Sequence, residues 1–190
     1  FVTVVFISEA ANKPSSVNTY FDAYKKGFIE RFWKVNPEWA SALGYQKYVQ
    51  VLQIPNDSQR INNVQFYTNE LKRLKTYSFQ HLSDLNKIDY KIIENELQKR
   101  IWEITVLKDY EWNPALYNIG ETFSIFFTEN RTSLKKTIDL FYTKLKNVPA
   151  YYEAAKKNIK NPSNEYLQLA IEQNEGSISI FENDYADSVK

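Results

Sequence analysis

The stretch Asp89-Tyr-Lys-Ile-Ile-Glu-Asn-Glu-Leu-Gln-Lys-Arg-Ile-Trp-Glu-Ile-Thr-Val-Leu107 decides the fold class of this chain. Its apolar side chains recur mostly every three or four residues, at Ile92, Ile93, Leu97, Ile101, Ile104 and Leu107. This is the spacing of one face of an α-helix. Glu96 and Arg100 stand one turn apart, where opposite charges support a helix. The stretch therefore predicts a long helix from Asp89.

The segments on both sides repeat this periodicity. Upstream, aromatic side chains three and four positions apart predict an amphipathic helix over about 17–32. Pro37 can open a short helix to Leu43, because proline is tolerated at a first helical position, and Gly44 suits its C-terminal cap. The sequence Pro55-Asn-Asp-Ser58 supplies a cap for a helix that ends near Tyr77. Further helices are predicted at about 118–128, 131–147, 149–159 and 163–185.

These segments predict an all-α fold. The one alternating pattern, at residues 177–181, follows Gly176 and a helical pattern, so a helix is favoured there and a strand is the alternative. Four glycines and six prolines are too few for a many-turned all-β chain. We expect an irregular multi-helix bundle in which residues 15–190 form one helical domain.

The composition argues against several kinds of partner and site. Lysine and arginine number 24 against 23 acidic residues, so the formal net charge of +1 gives no field that would attract nucleic acid or an anionic membrane. Beyond the N-terminal run, no segment approaches the ~18 apolar residues that a membrane-spanning helix needs. Because the chain has no cysteine, disulfides and thiolate metal sites are excluded, and the cellular compartment must be inferred from other features.

Residues 1–7 form a short apolar run, Phe-Val-Thr-Val-Val-Phe-Ile. Ala10 and Ala11 follow, and a secretory signal peptidase requires such small residues near its cleavage site. The pattern predicts that residues 1–11 are the remnant of a signal peptide and that the protein is exported to the periplasm or cell envelope. The β-branched composition also fits an edge strand or an apolar N-terminal arm, so this alternative stays open.

Catalytic chemistry has few candidate residues in this sequence. A zinc hydrolase needs three imidazoles or carboxylates around one ion, but the only histidine is His81, in a turn between two predicted helices. A Ser-His or Cys-His nucleophile would need the same histidine. The four glycines, at positions 27, 44, 120 and 176, are too far apart to form a phosphate-binding loop. We therefore predict no catalytic, cofactor-binding or metal-binding residue in this chain.

Aromatic residues make up 16% of the chain, and two interpretations of them stay open. Their helical spacing favours core packing, and no basic stripe accompanies them as single-strand nucleic-acid binding would require. Exposed aromatics would instead make the chain a self-contained helical module that binds a partner protein or a glycan. A large exposed aromatic patch is the feature that would support this second function.

Several short motifs, none diagnostic alone, resemble one bacterial family in their order and spacing. They are Asn36-Pro37-Glu-Trp-Ala-Ser-Ala-Leu43-Gly44, Pro55-Asn-Asp-Ser58 with Arg60, Ile88-Asp89-Tyr90 leading into Leu97, Trp112-Asn-Pro114-x-x-Tyr117, Leu145-x-x-x-Pro149-x-Tyr151, Ala154-x-x-x-Asn158 and Pro162. Together they are similar to the N-terminal part of the family named domain of unknown function 885 (DUF885). The resemblance covers the chain from about Asn18 to its end. It implies that this chain is the N-terminal helical part of a larger helical protein, truncated on its C-terminal side.

The resemblance implies a large, mostly helical bacterial protein, often exported, whose distal half carries a His-Glu zinc motif similar to those of helical metallopeptidases. No position of this sequence matches that motif, so zinc is expected only in the full-length protein. In such peptidases the N-terminal helices wall a deep cleft. The resemblance thus implies a scaffold and substrate-gating region of a zinc-dependent, peptidase-like protein, with the C-terminal half of the same protein and a peptide substrate as partners.

Structural roles are also predicted for particular residues. Pro37 and Gly44 are expected to fix the corner after the first helix, and Trp112, Pro114 and Tyr117 to lock the mid-chain connection. If the chain is truncated, one face of its last helix should be left uncovered. The residues expected on that face are Leu167, Ala170, Ile171, Ile178 and Phe181.

Overall fold

The computed structural model describes residues 16–128 and 133–184, and eight α-helices carry the fold over that part of the chain. They are α1 (Ser16–Val35), α2 (Pro37–Ala42), α3 (Asp57–Leu74), α4 (Asp84–Trp102), α5 (Gly120–Thr128), α6 (Leu134–Leu145), α7 (Val148–Asn158) and α8 (Asn164–Ser179). Short 3₁₀ turns lie at Gln46–Tyr48, Phe79–His81, Asp109–Glu111 and Pro114–Tyr117, and π turns at Glu103–Leu107 and Ile180–Asp184. The described residues contain no strand, so the all-α prediction is confirmed.

Helix α1 is held by the aromatic stripe that its sequence predicted. Phe21, Tyr24, Phe28 and Phe32 are all buried, at the three- and four-residue spacing of one helix face. They pack against α3 and α4 in a first hydrophobic cluster, whose other buried members are Tyr67, Leu74, Leu82, Tyr90, Ile93 and Leu97. The apolar face of the stretch that decided the fold class thus meets α1 and α3.

The corner after α1 forms as predicted. Pro37 occupies the first turn of α2, and Gly44 has a φ of 86°, a backbone conformation that strains any residue with a Cβ. The segment after the corner is tied back to α1 by Glu30, whose carboxylate accepts hydrogen bonds from Tyr45, Lys47 and Tyr48. These bonds fix the direction of the chain after α2.

Helix α4 differs from its prediction at both ends. It begins at Asp84, earlier than the predicted Asp89, because Ser83 caps it by accepting the backbone N–H of Asn86 at 3.4 Å. At the other end the α-helix stops at Trp102 and continues as the π turn Glu103–Leu107. The prediction of an unbroken α-helix to Leu107 is therefore wrong in its last turn.

A second hydrophobic cluster lies among α5, α6 and the segment after α2. Its buried members are Val49, Leu52, Ile119, Phe123, Phe126 and Phe141. Phe181, from the π turn after α8, packs on this cluster with its ring 5.1 Å from that of Phe123. Residues 177–181 are thus helical, and the alternative of a strand there is wrong.

Helix α8 lies mostly on the surface, and Ser177 is its one buried residue. Leu167, Ile171 and Ile178 are 43%, 54% and 45% exposed, as predicted for an uncovered face. Phe181 was expected on the same face, and this was wrong, because its ring joins the second cluster. The three exposed side chains stand four and seven residues apart, so they form one stripe along the helix.

Two predictions concern the chain ends and the membrane. The predicted signal-peptide remnant at residues 1–11 lies outside the described residues. Among the described helices, none combines the length and apolar character that crossing a bilayer requires.

Candidate functional site

A cleft with both polar and apolar walls lies between α2, α3, the end of α4 and the connection that leads to α5. Its cavity volume is about 460 Å³, which is within the range of ligand pockets in proteins. We call it the central cleft, and the lining residues used below are Asn36, Glu38, Gln53, Pro55, Gln59, Arg60, Asn63, Arg100, Glu103, Asp109, Tyr110, Tyr117 and Tyr151. Amide side chains and tyrosines dominate this set.

Irregular backbone forms one wall of the central cleft. The π turn at the end of α4 carries Glu103, and Lys108 follows it in the left-handed conformation with a φ of 49°. The 3₁₀ turn Asp109–Glu111 then reverses the chain. π turns and left-handed non-glycine residues are both enriched at functional sites. Sequence reasoning missed this wall, because the apolar spacing up to Leu107 is that of an α-helix and nothing local indicates the π turn.

Hydrogen bonds lock the connection that forms the rest of this wall. The indole N–H of Trp112 donates to the carbonyl of Leu107 at 3.1 Å, and the Tyr117 hydroxyl donates to the carbonyl of Tyr110 at 2.7 Å. From α7, the buried Asn158 amide donates to the carbonyl of Pro55 at 2.5 Å and to the Tyr117 hydroxyl at 3.1 Å. The predicted locking roles of Trp112 and Tyr117 are confirmed.

Two arginines pin the helices around the central cleft. Arg60 pairs with Asp57, donates to the Pro55 carbonyl at 2.8 Å, and lies 4.2 Å from the ring centre of Tyr110. A guanidinium over an aromatic face is attracted by the ring quadrupole, so Arg60 joins α3 to the connection.

Arg100 connects the helices on the opposite side of the central cleft. Its Nε donates to Glu96 at 2.7 Å, which confirms the predicted pair, and its Nη1 lies 3.5 Å from Glu103. The guanidinium also lies 4.8 Å from the ring centre of Trp39. Arg100 thus holds α4 against α2 at the edge of the cleft.

Several polar groups in the central cleft have no hydrogen-bond partner within the described part of the chain. The Gln59 amide donates to the Asn63 carbonyl oxygen at 2.8 Å, which leaves the Gln59 oxygen and the Asn63 amino group unpaired. The side chain of Gln53 and the hydroxyl of Tyr151 are also unpaired, although the Gln53 backbone N–H donates to Glu38 at 2.8 Å. The cleft therefore presents spare donors and spare acceptors together.

Burial shifts the acid–base properties of the groups in the cleft. It raises the pKa of Asp109, and the nearby Glu103 adds to this effect. It also raises the pKa of Tyr151 and of Tyr117, with the negative charge of Glu38 adding to the shift at Tyr151. Both tyrosines consequently keep their hydroxyl protons at neutral pH and can donate hydrogen bonds.

A second cavity of about 410 Å³, which we call the side cavity, lies between α2, α5 and α6. Glu38 and Thr122 line both cavities, and Lys144 of α6 lies against the side cavity. Lys144 is completely buried, and its Nζ donates to the Thr122 carbonyl at 2.9 Å. Burial lowers the pKa of Lys144 to about 8. Sequence reasoning missed this lysine, although its place three residues after the buried Phe141 puts both on one face of α6.

The described residues do not fit a zinc ion. No group of three His, Cys, Asp or Glu side chains that could hold a metal occurs within 16–128 and 133–184. His81, the only histidine of the chain, lies exposed in the 3₁₀ turn Phe79–His81. These residues therefore support no zinc-dependent step in this part of the protein.

Most of the motifs that carried the sequence resemblance meet at the central cleft. Asn36, Glu38, Pro55, Arg60, Tyr117 and Tyr151 line it, and Asn158 is bonded to two of them. A family model described as "Bacterial protein of unknown function (DUF885)" matches residues 37–190. The chain belongs to the DUF885 family.

The chain is also similar to a solved structure. It is a "putative lipoprotein of unknown function" from Shewanella oneidensis, 32% identical to this chain, with a TM-score of 0.85. The match covers 89% of this chain and 31% of the Shewanella chain, so this DUF885 chain spans about a third of that protein's length. No curated protein matches the chain.

Proposed function

We propose that this chain is the helical scaffold and substrate-gating region of a zinc-dependent, peptidase-like DUF885 protein, and that the central cleft admits a peptide. The observation that carries the proposal is the convergence of the family's motifs on one cleft with unpaired donors and acceptors. A cavity of ligand size with several convergent polar groups is the default candidate for a binding site.

A peptide fits the hydrogen-bonding groups of the cleft. An extended main chain alternates N–H donors and C=O acceptors, and the cleft offers the Asn63 amino group and the Tyr151 hydroxyl beside the Gln59 oxygen and the Glu38 carboxylate. Neutral amide groups bind the main chain without selecting a side chain. This arrangement suits a gate that limits the shape of peptides and accepts many sequences.

Catalysis is assigned to another part of the protein. The described residues offer no metal site, and the matched region makes up 31% of the Shewanella relative, so a longer DUF885 protein has room for a separate catalytic half. We propose that the exposed stripe of Leu167, Ile171 and Ile178 on α8 packs against that half. About half of each side chain is still exposed, so burial against that half would contribute roughly 1 kcal/mol for each of them.

The test of the enzymatic part uses the full-length gene product. We expect bound zinc and peptide hydrolysis that a chelator abolishes and added zinc restores. This chain alone is expected to be inactive on the same peptides. Hydrolysis by this chain alone, or a full-length protein without zinc and without peptide hydrolysis, would refute the proposal.

The test of the gate compares two matched substitutions on α3. Asn63→Leu removes an amide from the cleft and adds bulk there, and Asn69→Leu makes the same change at an exposed position of the same helix. In the full-length enzyme, Asn63→Leu should raise KM for long peptides more than for dipeptides, and Asn69→Leu should change neither. An equal effect of Asn63→Leu on both substrate lengths would contradict the gating role.

We propose an envelope location for the full-length protein. The Shewanella relative is described as a lipoprotein, and residues 1–7 form an apolar run before small residues. Cell fractionation of the native host should place the protein in the periplasmic or envelope fraction. Recovery in the cytosolic fraction would contradict this location.

The rival function, a binding module for a partner protein or a glycan, has less support. Within the described part of the chain, aromatic side chains that are more than a third exposed lie on five different helices, at Tyr20, Trp39, Trp102, Tyr142 and Tyr166. Such a distribution does not favour one large aromatic patch. Binding of a glycan or protein by the full-length product, with no hydrolysis, would favour the rival.

A further inference from the structure

The cation at the side cavity has no role in the proposed gate. Lys144 is fully buried, and the Thr122 carbonyl is the only hydrogen-bond acceptor that its Nζ has in the described structure, although an ammonium group can donate three bonds. The rings of Phe123 and Phe126 lie 5.5 and 5.8 Å from the Nζ. No carboxylate of the described residues forms an ion pair with it, and the negative charge of Glu38, acting at longer range, offsets only part of the cost of burial. Such a charge is costly in a protein interior unless an anion compensates it.

Other walls of the same cavity carry the opposite charge. Glu38 uses its Oε1 to accept the Gln53 N–H, and its other oxygen is unpaired in the described structure. Glu121, in the first turn of α5, is exposed at the same cavity. The cavity is thus lined by one buried ammonium group and two carboxylates.

Apolar side chains complete the cavity. Trp39 and Ile125 contribute the large apolar surfaces among the lining residues. The volume of about 410 Å³ leaves room for a ligand the size of one or two amino acids.

We propose that the side cavity binds a free α-amino acid or a dipeptide in its zwitterionic form, with an apolar side chain. The ligand carboxylate pairs with Lys144 when its Nζ turns from the Thr122 carbonyl toward the cavity. The ligand ammonium group lies between Glu38 and Glu121, and its side chain packs on Trp39 and Ile125. This inference does not depend on the peptidase-like function, because it uses only groups that line the side cavity.

The lining chemistry distinguishes this ligand from simpler ones. A plain carboxylate such as acetate would satisfy Lys144, but the charges of Glu38 and Glu121 would repel it. A plain amine would satisfy the two carboxylates and leave the buried lysine without an anion. A zwitterion compensates both signs of charge at once.

The experiment is calorimetric titration of the protein with L-leucine, N-acetyl-leucine and leucinamide. We expect leucine to bind and each blocked analogue to bind at least about tenfold more weakly. Lys144→Met and Glu38→Gln should each weaken leucine binding by a similar factor. The matched control Lys146→Met, at an exposed position near the end of α6, should leave binding unchanged.

Three results would overturn the proposal. They are no detectable leucine binding to the wild-type protein, equal binding of leucine and leucinamide, and unchanged leucine binding by Lys144→Met. If the Lys144→Met protein does not fold, the analogue series on the wild-type protein decides the question by itself. Failure here leaves the peptide gate intact, because that role is tested at Asn63 in the other cavity.

Discussion

Replacing Lys144 by methionine should stabilise the protein at neutral pH. Methionine keeps the length of the side chain and its contacts with Phe123 and Phe126 but removes the buried charge. The pKa of Lys144 falls from 10.5 to about 8, which corresponds to about 3 kcal/mol of destabilisation of the charged form. Loss of the hydrogen bond to Thr122 destabilises the folded state and offsets about 1 kcal/mol of this gain. We therefore expect the free energy of unfolding to rise by about 2 kcal/mol at pH 7.

The pH dependence of the free energy of unfolding tests the buried charge of Lys144 independently. The folded protein releases the Lys144 proton near pH 8, and the unfolded chain keeps it until about pH 10.5. Between these values the unfolded state binds more protons, so wild-type stability should rise with pH. Through Lys144, the free energy of unfolding should rise by about 1 kcal/mol from pH 7 to pH 9. Below pH 7 the contribution of Lys144 is constant, because both states are protonated. Lys144→Met should lack this contribution.

The assay is urea unfolding followed by circular dichroism at pH 7, 8 and 9, for the wild type, Lys144→Met and the surface control Lys146→Met. Staying at or below pH 9 keeps the tyrosines protonated in both states. Lys146→Met should follow the wild type at each pH. Destabilisation of Lys144→Met at pH 7, together with a pH dependence like that of the wild type, would refute this account of the buried lysine.

The remaining predictions concern the hydrogen bonds by which Glu30 ties the segment after α2 to α1, and those by which Asn158 holds the connection. Glu30, with a pKa lowered to about 2 first of all by Lys47, should stabilise the fold above its ordinary pKa of 4.5 and lose that effect as pH falls toward 2. As pH falls over that range, the Glu30→Gln protein should therefore lose less of its free energy of unfolding than the wild type. An identical dependence on pH in the two proteins would contradict the stabilising role of Glu30. Asn158→Ala removes one of the two donors to the Pro55 carbonyl, the other being Arg60, together with the donor to the Tyr117 hydroxyl. It should cost about 1–2 kcal/mol in urea unfolding. Asn164→Ala, at an exposed position of α8, is the control, and equal stability of the two variants would show that the Asn158 bonds contribute nothing.

The sequence predicted the features that depend on local spacing. The aromatic stripe of α1, the Pro37 corner and the pair of Glu96 with Arg100 each involve residues within a few turns of one another, where periodicity and capping rules apply. The family was also predictable, since its motifs stand in the sequence in order.

The cleft itself could not be predicted in the same way. Asn158 and Pro55 are 103 residues apart in the sequence, and nothing in either segment names the other as its partner. The π turn after Trp102 keeps the apolar spacing of an α-helix, so the change of backbone that places Glu103 at the cleft has no local signal. Lys144 was hidden for a related reason, because a lysine among other charged residues suggests an exposed position.

Glu38 belongs to the walls of both cavities, so binding of the two proposed ligands should be linked through it. Its carboxylate holds the Gln53 backbone N–H beside the central cleft, so a ligand that draws Glu38 toward the side cavity takes an acceptor away from the other compartment. Thermodynamic reciprocity then requires that occupancy of the central cleft weaken binding in the side cavity by the same factor. Two ligands that never touch would thus compete through one carboxylate, and binding in the central cleft and in the side cavity would show negative cooperativity.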